Sequence, residues 1–337
     1  MTGILEIEAQ SPRVCVAGAG AIGLTLAARL QMAGYRVSLV ARGESLSFVH
    51  ENGIQLIDQE GEHRVMVNVG AASAYATADV LFLCPKSHDM LAMATSIRHL
   101  ISPDTIVVPV INGIPWWYFD GIDRCWQGQS IRTVDPEGKL KRIIPSRSIV
   151  GITTMITVER VSPGKATTFN PLQMTIGELD DKPSERLDLL ARILERSGIA
   201  TTKAVRIRDA IWTKVVRNLI SNPVTAITGA TLRQNFGNAY LADISRQMLR
   251  EVIPVIASYG SRLEVDPETI LDTGRKLGDV KTSMLQDLEK GNQLELASIC
   301  DAVIELATLH GIEMPVTQAI SNLAHFKSTG DGNAFAA

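Results

Sequence analysis

The chain has 337 residues, 45% of them hydrophobic and 20% charged, the make-up of an ordinary folded protein too long for one compact core and short of three domains. Its 33 Lys and Arg against 36 Asp and Glu leave a net charge of −3, so no global field draws it to nucleic acid or anionic lipid, and no polyanion partner is expected. The first ten residues have no basic flank, and no apolar run reaches the roughly 18 residues of a membrane span, which predicts a cytoplasmic protein with no membrane partner. Four cysteines, Cys15, Cys84, Cys125 and Cys300, lie far apart. Without a Cys-x-x-Cys or a His pair at i, i+4 they read as buried free thiols, with no metal site.

The chain divides into two halves of different period. From Arg13 to about Asn112, β-branched runs alternate with helical stretches. Val14–Ala17, Arg36–Val40, Asp79–Leu83 and Thr105–Val110 are the strands, and their uniform apolarity predicts a parallel sheet covered on both faces. Residues 54–69 alternate around a polar break at Asp58–Glu62, which predicts a decorative hairpin inserted in the α/β unit. Residues 120–147, rich in Gly, Pro, Arg, Lys and Asp, read as a hinge or insertion ahead of further strand-like pieces at 148–158 and 173–177. From Pro183 the pattern is helical, with Leu187, Leu190, Ile193 and Leu194 on one stripe and a long amphipathic run from Tyr240 to Tyr259. The residues after Ser328 look disordered. The fold class expected is an α/β N-terminal Rossmann-type doubly wound sheet over 1–182, followed by an all-α domain over 183–337. Such an all-α domain can bury a face against a twin, as a homodimer, or against itself.

Gly18-Ala19-Gly20-Ala21-Ile22-Gly23 follows the first strand directly and opens a helix, the context in which Gly-x-Gly-x-x-Gly signals dinucleotide binding. The first glycine makes the turn, the second admits the pyrophosphate to the backbone, the third closes helix on strand, and the helix N-terminus offers free N–H groups. The second strand ends Leu39-Val40-Ala41-Arg42, with no acid at its tip to hold a ribose 2′-hydroxyl. Arg42 can instead pair a 2′-phosphate, favouring NADP, while Glu44 could reach a ribose. Lys86 and Asn112 follow later strands at their carboxyl ends, where ligands of open sheets bind. Each could meet a ligand or simply cap a helix or turn. The block Trp116-Trp117-Tyr118-Phe119 suits packing across a lobe interface better than substrate stacking.

In the helical half, Lys214, Asn218 and Asn222 recur every four residues and span about 80° of one helix face, with Pro223 expected to kink or end the helix after Asn222. One ammonium and two carboxamides make a donor-rich wall for a carbonyl, a carboxylate and a hydroxyl; a solvated polar stripe is the alternative, though asparagine is a poor helix former. Ser283 adds a hydroxyl. Glu295, among Leu294, Leu296 and Ala297, either pairs with a cation, for which Lys214 is the candidate, or sits solvated at a helix edge.

Together the Gly-Ala-Gly-Ala-Ile-Gly turn, Asn112-Gly113, the run from Trp212 through Lys214, Asn218, Asn222 and Pro223 to Thr225-Ala226, and Ser283-Met284-Leu285-Gln286-Asp287 with Glu295 resemble the ketopantoate reductase (2-dehydropantoate 2-reductase) family over about Arg13 to Phe326. The resemblance implies an oxidoreductase of pantothenate biosynthesis that reduces a 2-keto acid with NADP(H). It makes Lys214 the general acid, Asn218, Asn222 and Ser283 the ligands of substrate oxygens, and Glu295 the holder of Lys214 or of a substrate hydroxyl. Arg42 would meet the 2′-phosphate, with Lys86 and Asn112 near nicotinamide and substrate. Two departures concern the substrate rather than the reaction: a family Thr-Glu-Ile-Asp reads Leu294-Glu295-Leu296-Ala297, and a family Asn-Gly reads Leu232-Arg233. A reductase of another 2-oxo acid and a non-catalytic NADP sensor are the alternatives.

Overall fold

The computed structural model describes residues 12–122, 126 and 128–329. They form two compact units. One gathers the chain up to Ile111 with 119–129 and 138–207; the other comprises 112–118, 130–137 and the chain from Arg208 on.

In the first unit, β1 (Arg13–Ala17), α1 (Ala21–Met32), β2 (Arg36–Val40), α2 (Gly43–Asn52), the hairpin β3 (Ile54–Asp58) and β4 (Gly61–Val65), β5 (Asn68–Gly70), β6 (Val80–Leu83), α3 (Met90–Ile97) and β7 (Ile106–Pro109) come in that order. Five strands form a sheet in the order β5-β2-β1-β6-β7, every neighbouring pair parallel. The apolar side chains of the runs that predicted it are buried, as in strands covered on both faces. The hairpin is more than decoration. Its strand β3 lies parallel to β10 (Lys165–Thr168) in a second sheet, β4-β3-β10-β9, with β9 at Val158–Ser162. Ile54 and Leu56 are core residues, and Asp58 at the turn makes a buried 2.7 Å ion pair with Arg29 of α1.

The first unit continues to Ile207. Helix α5 (Glu185–Arg196) runs between β11 (Gln173–Gly177) and β12 (Ala200–Lys203), which pair parallel from Gln173 opposite Ala200 to Ile176 opposite Lys203. Parallel neighbours need a crossover helix, so α5 stays with its sheet, and its Leu187, Leu190, Ile193 and Leu194 are buried there. The third strand of that sheet, β8 (Gly151–Thr154), pairs antiparallel with β11.

Segment 120–147 divides between the units. In the first, the Asp120 carboxylate accepts hydrogen bonds from Lys141 and Ser146, both at 2.7 Å, beside the short helix α4 (Lys139–Ile143). In the second, Ile131 and Asp135 are buried, and the Arg132 and Thr133 amides donate to Glu305.

Among its described residues the second unit has helices and turns and no strand. They are α6 (Ile207–Leu219, its first residue still in the first unit), α7 (Asn222–Thr228), α8 (Leu232–Gly237), α9 (Ala239–Ser258), α10 (Pro267–Lys276), α11 (Ser283–Glu289), a π-helical turn at Ala297–Asp301, α12 (Ala302–Leu309) and α13 (Pro315–Ser328). The amphipathic run expected from Tyr240 to Tyr259 is α9. Cys15, Cys84 and Cys300 are buried free thiols, and Cys125 lies outside the described residues, as does the tail beyond residue 329. No described helix is long and apolar enough to cross a membrane.

Candidate active site

The glycine turn of the first unit joins β1 to α1. Gly18 has φ +116°, and a Cβ there would stand 2.8 Å from the Cys84 carbonyl oxygen; a Cβ on Gly23 would stand 1.9 Å from the Gly18 oxygen. Both glycines are demanded by the fold itself. Gly20 differs. It is the N-cap of α1 with φ −78° and ψ −177°, open to any residue, and a Cβ would meet nothing nearer than Cys84 O at 3.9 Å. Neither conformation nor packing requires glycine here. No side chain caps α1 and its first turn holds no acid, so the helix N-terminus presents its partial positive charge unobstructed by its own sequence.

Arg42, directly after β2, is the N-cap residue of α2, and its side chain is 87% exposed. The carboxylate of Asp89 lies 3.9 Å away, and Glu44 is in the first turn of α2. Lys86 is partly buried in the extended stretch after β6, opening the turn Ser87–Asp89.

The second unit holds the remaining sequence-predicted residues. Lys214 and Asn218 lie one turn apart on α6, both half-buried. Asn222 is not on that helix. Helix α6 ends at Leu219, and Asn222, buried, is the first residue of α7, its Oδ1 accepting from Ser221 Oγ at 3.2 Å. The break falls before Asn222, where the spacing predicted one after it, because a continuous helix would drive the Pro223 ring into the carbonyl of residue 219. In the first turn of a new helix, by contrast, a missing N–H costs nothing.

Asn112 and Glu295 meet directly: the Asn112 amide donates to Glu295 Oε2 at 3.2 Å. Glu295 is buried, flanked by buried Leu294 and Leu296. Burial pushes the Lys214 ammonium down to about 8, and the Glu295 carboxylate pulls it part of the way back. Lys214 and Glu295 are thus electrostatically coupled. Asn112, placed by the sequence reading in the first domain, is grouped with the second.

Ser283 is exposed at the start of α11. Its neighbour Thr282 caps that helix, accepting from the Leu285 amide, and shares a buried 2.7 Å hydrogen bond with Thr225 of α7, one turn beyond Asn222. Thr282 was not singled out in the sequence, although a threonine ahead of a helical run is a capping signal. Within the aromatic block, the Tyr118 hydroxyl accepts from Trp212 Nε1 at 2.7 Å in the core, pinning α6 two residues before Lys214. Trp116, Trp117, Tyr118 and Phe119 are all buried, which rules out substrate stacking. The π-helical turn left no mark in the sequence.

Residues 14–181 match the family described as ketopantoate reductase PanE/ApbA, and residues 206–328 match its C-terminal domain. The chain belongs to the ketopantoate reductase family. A 2-dehydropantoate 2-reductase from Mesorhizobium japonicum is 33% identical over 310 residues, covering 91% of this chain and 95% of that protein. One from Archaeoglobus fulgidus is 26% identical over 318 residues, covering 94% and 98%. The crystal structure of a protein assigned as a ketopantoate reductase from Ralstonia solanacearum MolK2 superposes with a TM-score of 0.89 at 31% identity, over 94% of this chain and 98% of that one. D-mandelate dehydrogenase, solved with NADH and anilino(oxo)acetate, shares the fold at 22% identity and a TM-score of 0.82, with the same coverage. This ketopantoate reductase homologue is thus an oxidoreductase acting on a CH–OH group, a reaction class that draws on a nicotinamide dinucleotide. The glycine turn fits that group: Gly20 leaves the backbone bare at the uncapped N-terminus of α1.

Proposed function

We propose that this ketopantoate reductase homologue reduces 2-dehydropantoate to pantoate with NADPH, Lys214 serving as general acid. The observation that carries the reading is the Lys214–Glu295–Asn112 cluster, a buried carboxylate bonded to one carboxamide and coupled to an ammonium whose pKa is about 8. A general acid works best with a pKa near the working pH, and this one loses its proton without a large penalty. Bound NADPH supplies the hydride that the ketone carbon receives. Lys214 polarises the ketone oxygen and then gives it a proton, leaving a neutral amine that solvent recharges. Glu295 keeps Lys214 protonated in an environment that would otherwise discharge it. Asn218, Asn222, Ser283 and Asn112 supply donors for the substrate carboxylate and hydroxyl. In the first unit, Gly18 to Gly23, Ala19, Ala21 and Ile22 among them, would hold the pyrophosphate, Arg42 the 2′-phosphate, and Lys86 a further part of the cofactor or the substrate anion.

A second reading, reduction of a different 2-oxo acid by the same residues, is favoured by the apolar flanks of Glu295. Leu294 and Leu296 are buried, and Ala297 opens the π-helical turn. The test is NADPH oxidation at 340 nm with 2-dehydropantoate beside a panel of 2-oxo acids, with NADH as control. Turnover of 2-dehydropantoate with NADPH supports the first reading. Turnover of another acid alone supports the second, and NADPH binding without any turnover refutes both.

A further inference from the structure

We propose that Gly113 and Ser298 are positioning residues, and that the π-helical turn Ala297–Asp301 exists to seat the Asn112–Ile114 turn so that the Asn112 amide reaches Glu295. The inference rests on the roles given above to Lys214, Glu295 and Asn112.

Two hydrogen bonds fasten the turn. Asn112 donates to Glu295 Oε2 at 3.2 Å, and two residues on, the Ile114 amide donates to the Ser298 carbonyl oxygen at 2.8 Å. Gly113 lies between them with φ +84°, a left-handed conformation that side chains disfavour. An added Cβ would stand 2.3 Å from Ser298 O, 2.4 Å from its carbonyl carbon and 2.6 Å from its Cβ. The two backbones therefore touch, and only glycine permits it. Ser298 is fully buried, and its hydroxyl donates at 3.4 Å to the carbonyl of Glu295 itself. One residue is thus tied both to the turn that carries the amide and to the residue that carries the carboxylate. A π-helical turn inserts one residue into a helix, is rare, and recurs where function uses it. Here the carbonyl of its second residue takes a donor from outside the helix. Closing the turn to α geometry would rotate the residues before it by about 100° against those after it, carrying Glu295 off Asn112.

The test compares Gly113→Ala, Asn112→Ala and the double variant. In the apo protein, the pH midpoint of Lys214 acetylation by acetic anhydride is read from its peptide by mass spectrometry. With NADPH and 2-dehydropantoate, kcat/KM is measured. Gly113→Ala is expected to move the Lys214 midpoint in the same direction as Asn112→Ala, to lower kcat/KM by about 10- to 100-fold, and to add no more than about 3-fold on the Asn112→Ala background. A wild-type midpoint in either single variant overturns the proposal, as does a double variant whose losses multiply. Should Gly113→Ala fail to fold, deletion of Ala297 is the second variant: the midpoint is expected to move to that of Glu295→Gln, and a wild-type midpoint again overturns the proposal. Because the labelling needs neither cofactor nor substrate, a protein that reduces no keto acid defeats the functional reading while the midpoints still judge this one.

Discussion

Replacing Glu295 by Gln tests the electrostatics of the site with almost no change of shape. Glutamine keeps an acceptor for the Asn112 amide and removes the charge that holds the proton on Lys214. With a pKa of about 8, about three-quarters of the ammonium is charged at pH 7.5. An opposite charge at close range typically moves a pKa by about 1–3 pH units, so its loss leaves Lys214 near 6 if the effect is about 2. At pH 7.5 only about 3% then carries the proton, and kcat/KM falls about 25-fold. At pH 6 about half remains charged and the loss is about 2-fold. The sign follows from the role: reduction needs the ammonium, so activity declines as pH rises through its pKa, and the variant's decline begins at lower pH. The assay is kcat/KM for the keto acid from pH 5.5 to 9 at saturating NADPH. A uniform loss at every pH, with the alkaline limb unmoved, would refute the claim that Glu295 sets the charge of Lys214.

Three further changes separate the parts of the site. Gly20→Ala should leave the melting temperature within about 2 °C, since no atom crowds the new methyl, yet weaken NADPH about 10- to 100-fold in calorimetry by blocking backbone approach; unchanged affinity would move the pyrophosphate elsewhere. Arg42→Ala should cost roughly 10- to 150-fold in NADPH affinity and little in NADH, whereas equal losses would show that Arg42 does not read the 2′-phosphate. Lys214→Met should abolish turnover and raise stability at pH 7. The fall from 10.5 to about 8 bounds the gain at about 3 kcal/mol, and partial exposure reduces it to about 1–2 kcal/mol. The unfolded chain keeps this proton to higher pH than the folded one, so the cost relieved is full below pH 8 and vanishes as pH rises to 10.5. A melting temperature below wild type at pH 7 would contradict the desolvation of Lys214.

Features whose cause is local were legible in the sequence. Gly18 and Gly23 are fixed by a backbone turn and a close approach that no other residue allows, and the strands of the parallel sheet declare themselves by uninterrupted apolarity. Features decided by a distant partner were not. The apolar stripe of α5 reads the same whether it packs on helices or on a sheet, so only the parallel pairing of β11 with β12 reveals its allegiance. Asp58 looks like a solvated turn residue until Arg29 is found beside it. Ser298 has nothing about it that would mark a carbonyl taking the Ile114 amide.

The spacing of Lys214, Asn218 and Asn222 shows how a correct residue set can come with an incorrect geometry. Periodicity of four puts all three on one rigid face, yet Pro223 lies four residues beyond Leu219, whose carbonyl its ring would strike in a continuous helix. The chain answers by ending α6 at Leu219 and restarting at Asn222. Asn222 then takes its orientation from α7, which is tied through the Thr225–Thr282 hydrogen bond to the cap of α11 and hence to Ser283. The two asparagines thus belong to different helices: Asn218 shares α6 with Lys214, and Asn222 opens α7, joined to the last turn of α6 through Ser221, whose hydroxyl donates both to the Arg217 carbonyl and to Asn222 Oδ1.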